Sequence, residues 1–140
     1  MDKIYKKIQS LKLVYSDKPQ PGLLVAMPNP YPDRDYEIQV VSPEFTAVCP
    51  VNPGQPDFAT FTIKYVPDKL IVELKSLKLY LTSYRNVAIF YEASTNRVLD
   101  DLVKSIRPRS MEISADWNTR GGITTRVIAT YAKSITKKGG

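Results

Sequence analysis

Cys49 is the only cysteine of this 140-residue chain, and Asp57 is the first acid after it, across a loop with prolines at 50, 53 and 56. Histidine is absent from the sequence. A lone cysteine forms no intrachain disulfide, and without histidine the Cys/His ligand sets of structural zinc are excluded. Papain-like and Ser-His-Asp machinery fall for the same reason. Cys49 is therefore core filler, an intermolecular bridge or a nucleophile. A thiol with an ordinary pKa of about 8.5 is only a few per cent ionised at neutral pH, so a nucleophilic role needs a partner that lowers that value or takes the proton. Asp57 is placed for this by a loop that its prolines restrict. A thiol beside a carboxylic acid suits addition to an electrophile that gains a proton as sulfur attacks, such as a nitrile. Sulfur bonds to carbon, the acid protonates nitrogen, and a covalent thioimide results. The bland alternative is an inert buried cysteine with an aspartate in a turn.

The elements that would hold these groups follow from periodicity. Ten of the 11 prolines lie in the first 67 residues, densest in "DKPQPGLLVAMPNPYPDRDY", so the first quarter reads as mostly extended chain and turns. "YEIQVVS" reads as a strand, and in "FATFTIKYVP" Ala59, Phe61, Ile63 and Tyr65 alternate with polar residues at a period of two. After Pro67-Asp68 the period changes: Leu77, Tyr80, Leu81 and Tyr84 make one helix face. A second helix carries Thr95, Leu99, Leu102, Val103 and Ile106, and Pro108 ends it. "SMEISADWN" and "ITTRVIATYA" alternate again, joined by "NTRGG" as a hairpin.

The expected class is α+β, a four-stranded antiparallel sheet with two helices on one face in the order ββααββ. The expected division is an extended proline-rich segment over 1–34, one domain over 35–134 and a flexible basic tail over 135–140. A sheet with open edges and a second face to cover points to a ring-shaped homo-oligomer. With no signal-like stretch and no run of about 20 apolar residues, a soluble cytoplasmic protein without a membrane partner is expected. Twenty Lys and Arg against 14 Asp and Glu give a net charge of +6, which favours a polyanionic partner, nucleic acid or a phosphorylated cofactor, and equally fits a merely basic soluble protein.

The wording of one stretch is more specific. "FTAVCPVNPGQPDFATFTIKYVPDKLIVELKSLKLYLTSYRN", then "FYE" and "TRGG", resembles the QueF family of 7-cyano-7-deazaguanine reductases over roughly residues 40 to 131. The resemblance implies the tunnelling fold, rings with active sites between subunits, Cys49 as the nucleophile and Asp57 as the acid. It implies that Glu92 accepts hydrogen bonds from the guanine-like edge of the ligand, a bidentate match for a carboxylate. Val72, Glu73 and Leu74 would line the base pocket. Lys75, Lys78 and Arg120 match positions that hold NADPH phosphates. Two departures stand out: the loop from cysteine to aspartate is one residue longer than usual, and Tyr91 occupies the place of a histidine expected to assist proton delivery. Losing one general acid costs about 10²–10⁴ in rate.

Those departures, with the positive charge, favour a related branch, the QueF-like amidinotransferases of archaeosine synthesis. The expectation is then a transferase that uses ammonium as co-substrate and no cofactor, on 7-cyano-7-deazaguanine already in tRNA. Lys3, Lys6, Lys7 and Lys12 near the start and Lys133, Lys137 and Lys138 near the end would meet the RNA. In that case Lys75, Lys78 and Arg120 would contact tRNA phosphates, and Tyr91 would sit in the substrate site. The alternatives are the NADPH-dependent nitrile reductase and a noncatalytic ring protein that binds purine or RNA.

Overall fold

The computed structural model describes residues 1–52 and 54–134. Its main sheet is antiparallel, with strands β2 (Ile38–Val48), β3 (Pro56–Val66), β5 (Ser110–Arg120) and β6 (Ile123–Ala132) in the order β2-β3-β5-β6. Helices α2 (Leu74–Thr82) and α3 (Tyr91–Ile106) lie between β3 and β5 in the chain, as periodicity predicts. Alternation decides which face they cover. The inward rows Ala59, Phe61, Ile63, Tyr65 and Met111, Ile113, Ala115, Trp117 are buried and join Leu77, Tyr80, Leu81, Val98, Leu99, Leu102 and Ile106 in one core. Each such large side chain removed from water contributes about 1.5–3 kcal/mol.

Local chemistry sets the boundaries. Pro43 sits at the bulge of β2 between Ser42 and Phe45, where a missing N–H costs no ladder bond. Arg107 closes α3 in the left-handed region at φ 46°, just before Pro108. Gly121 and Gly122 turn the β5–β6 hairpin at φ 56° and 79°, which other residues adopt poorly.

Two parts differ from the sequence reading. The first ten residues precede the proline cluster and form helix α1 (Asp2–Ser10), none of it buried. In addition, the stretch read as the start of a helix after Pro67 is first a strand, β4 (Leu70–Val72), paired with β1 (Ala26–Pro28) in a two-stranded sheet. Helix α2 starts at Leu74 because the Glu73 carboxylate caps it, accepting from the N–H groups of Lys75 and Ser76 at 2.8 and 2.7 Å. No helix among the described residues is long and apolar enough to cross a membrane. The expected tail at 135–140, with Lys137 and Lys138, lies outside the described residues.

Candidate active site

Strand β2 ends at Val48, whose N–H donates to Val87 at 2.9 Å and whose carbonyl accepts from Ile89 at 3.1 Å. These two bonds clip the Cys49 loop to the segment that enters α3. The loop itself is closed by the Cys49 N–H donating to the Gln55 carbonyl at 3.0 Å and by the Asn52 N–H donating to Cys49 Sγ at 3.4 Å. Cys49 is half-buried.

Asp57 occupies the first inward position of β3, in the row continued by Ala59 and Phe61, and is 4% exposed. A carboxylate on a buried face needs partners. Gln55 Nε2 donates to its Oδ1 at 3.0 Å, and Arg120 Nε stands 3.5 Å from the same oxygen. Arg120 also donates to the carbonyl of Pro56.

Tyr91 is the first residue of α3, and its ring stacks on Trp117 at 4.0 Å with an interplanar angle of 6°. Trp117 meets Phe45 and Phe61 edge-on, which fixes the Tyr91 ring against the core. Burial raises the pKa of the Tyr91 hydroxyl; the neighbouring Asp57 carboxylate raises it further and the Arg120 charge opposes this. The hydroxyl is thus a proton donor at neutral pH. Glu92, exposed in the first turn of α3, completes the wall.

Cys49, Asp57, Tyr91, Glu92 and Arg120 therefore line one cleft of about 180 Å³, with Gln55 and Phe90 beside them. Gln55 and Trp117 did not stand out in the sequence. The only signal for Gln55 is its place two residues before Asp57, and Trp117 is marked only as a member of an inward row.

The other expected site residues are elsewhere. Val72 is in the core, and the Glu73 carboxylate is committed to capping α2. Lys75 Nζ donates to the carbonyls of Ile8 and Gln9 at 2.9 and 3.5 Å, holding the end of α1. Leu74 and Lys78 line a separate groove of about 730 Å³ between α2 and β2, with Phe58 and Arg85. The described residues contain no group of three or more His, Cys, Asp or Glu able to hold a metal ion.

The family described as QueF-like protein matches this sequence over residues 56–136. This chain belongs to that family. Relatives named NADPH-dependent 7-cyano-7-deazaguanine reductase include one from Chloroherpeton thalassium, 56% identical over 112 residues, covering 80% of this chain and 96% of that protein. One from Thermomicrobium roseum is 59% identical over 111 residues, covering 79% and 86%. Among solved structures, the apo archaeosine synthase QueF-Like superposes with a TM-score of 0.65 at 17% identity, covering 71% of this chain and 96% of that one. That likeness carries the tunnelling-type fold and no more.

The family's reductase members at more than half identity overturn the expectation of an amidinotransferase of archaeosine synthesis, and with it the expectation that no cofactor is used. Tyr91 is therefore no sign of lost reduction. Of the lysines expected to meet RNA, Lys133 is paired with Asp68, and Lys137 and Lys138 lie outside the described residues.

Proposed function

We propose that this protein is an NADPH-dependent nitrile reductase that converts the cyano group of 7-cyano-7-deazaguanine, as the free base, to an aminomethyl group. The observation that carries this reading is one cleft holding the sole thiol, a buried carboxyl and an exposed glutamate, in a chain more than half identical to proteins named for that reaction.

The chemistry follows from the lining. Glu92 accepts from the donor edge of the base and fixes its orientation. Cys49 Sγ adds to the nitrile carbon as Asp57 protonates nitrogen, giving a thioimide held on Cys49. NADPH, when bound, supplies two hydrides. Cys49 would hold the carbon through the first reduction, then leave as thiolate and take back its proton as the imine is released, and Asp57 would supply one proton with each hydride. Four hydrogens are gained in all, two of them as protons delivered through the Asp57 carboxyl.

A cofactor with three phosphates needs cations and room. The groove between α2 and β2 offers Lys78 and Arg85 over an apolar floor, at a volume within the usual ligand range of about 300–1,000 Å³. These residues fit the group, whereas Arg120 faces Asp57 and Lys75 faces α1. The cleft at Cys49 is smaller than that range. We therefore read it as a half-site that a second copy completes by bringing its groove against it.

The test is to incubate the protein with the free base, first alone and then with NADPH. A protein-bound mass equal to that of the base, lost in Cys49→Ala, together with NADPH oxidation and aminomethyl product, supports the reading. No adduct and no oxidation would refute it.

A further inference from the structure

Both cations of the groove between α2 and β2, Lys78 and Arg85, are exposed and have no carboxylate partner among the described residues. They differ in one respect. The Arg85 guanidinium lies over the ring of Tyr15, 5.5 Å from its centroid. An arginine over an aromatic face keeps its full charge in a preferred direction. Tyr15 is delivered there by the chain that follows α1. At the start of α2, Lys75 holds the carbonyls of Ile8 and Gln9, and at its end Ser83 Oγ accepts from the Gln20 N–H at 3.0 Å. Gln20 Nε2 donates in turn to the carbonyl of Val14, next to Tyr15. The segment is thus tied to both ends of α2.

We propose that Arg85, oriented by Tyr15, binds the 2′-phosphate of the adenosine half of NADPH and so selects that cofactor over NADH. The proposal rests on the reductase reading above. Neither residue is among those that the family resemblance implies for cofactor phosphates. A terminal phosphate offers three acceptor oxygens and close to two charges, which a guanidinium fork meets bidentately. The Lys78 ammonium is a point charge and suits the diphosphate. The two residues are seven apart, about two helical turns, and line the same groove, so they serve different phosphates of one ligand. Phe45, Phe58, Leu77 and Leu81 supply apolar surface for a flat base. Glu44, on β2, also lines the groove. A carboxylate is the partner of an unphosphorylated 2′-hydroxyl, whereas an arginine accommodates the phosphate.

Fragments of the cofactor separate its phosphates without turnover. Adenosine 2′,5′-bisphosphate and 5′-AMP are titrated into the full chain by calorimetry. The parent is expected to bind the bisphosphate about 10- to 150-fold more tightly, the worth of one charged hydrogen bond. Arg85→Ala should abolish that preference and leave 5′-AMP binding within about twofold of the parent. Tyr15→Ala should cut the preference by about two- to fivefold, and Tyr15→Phe, which keeps the ring, should restore it. Equal binding of the two ligands by the parent, or an unchanged preference in Arg85→Ala, would overturn the subsite. So would an equal loss of both ligands in Arg85→Ala, which would assign that residue to the 5′-phosphate. Tighter binding of 5′-AMP would overturn it as well and give the ribose to Glu44. An unchanged preference in Tyr15→Ala would overturn the orienting role. A parent that shows the preference yet forms no adduct with the free base would overturn the reductase reading instead.

Discussion

The Cys49 cleft and the groove beside α2 are both concave and carry chemistry-bearing side chains, and they are built differently. In the cleft every functional group is tied to the framework: Cys49 by a loop clipped to Val87 and Ile89, Asp57 by an inward strand position, Tyr91 by its stack on Trp117. In the groove the cations Lys78 and Arg85 stand on exposed positions over apolar side chains. Covalent chemistry tolerates little displacement of the reacting atoms, whereas phosphate binding is satisfied by mobile charges. The difference teaches that one region is built to react and the other to bind.

Substitutions sharpen this contrast. The largest effect is expected from Cys49→Ala, which removes the only thiol: both adduct and turnover should vanish, as read by mass spectrometry and NADPH absorbance. Asp57→Asn keeps the shape and removes the acid, so adduct formation and turnover should fall together by about 10²–10⁴. Phe61→Ala, beneath the cleft in the core between Phe45 and Trp117, should cost about 3–5 kcal/mol in urea denaturation. In the groove, Lys78→Ala should raise the KM for NADPH by about 10- to 150-fold, the cost of one charged hydrogen bond at about 1.5–3 kcal/mol. Equal loss of adduct in that variant would break the division between the regions.

The smallest effect lies outside both. Lys133 donates to Asp68, and this bond is the main reason that the carboxyl is held below its usual range, with Arg109 and Lys69 assisting. A depressed folded pKa contributes stability above the unfolded value and loses it as pH falls through the folded one. Because both groups are partly exposed, Lys133→Ala should cost only about 0.2–1 kcal/mol at pH 7. The cost should disappear at a pH low enough to protonate Asp68, as measured by urea denaturation at both pH values.

Much of this was legible in the sequence, for physical reasons. The period of two in the rows ending at Tyr65 and Trp117, and the 3.6 period through Leu77 to Tyr84, specify which face is buried, and the sheet follows. The structure brings Cys49, Asp57, Tyr91 and Glu92 to one cleft, whereas Arg120, expected among the phosphate contacts with Lys75 and Lys78, faces Asp57 there. Less legible were features that depend on partners distant in the chain. Glu73 became a cap and Lys75 the anchor of α1, neither visible from local spacing. Tyr91 misled because residue type alone does not show what surrounds it, here the ring of Trp117, distant in the chain. Net charge misled because it gives a sum for the whole chain and not the place or the partner of any one cation.

The account's central claim is tested most directly by following free 7-cyano-7-deazaguanine with the protein and NADPH, with intact-mass and absorbance readouts in parallel. The account predicts an adduct on Cys49 without cofactor, and on adding NADPH the oxidation of two equivalents per aminomethyl product. An adduct that persists without NADPH oxidation, or is converted to a formamidine by ammonium alone, would contradict it.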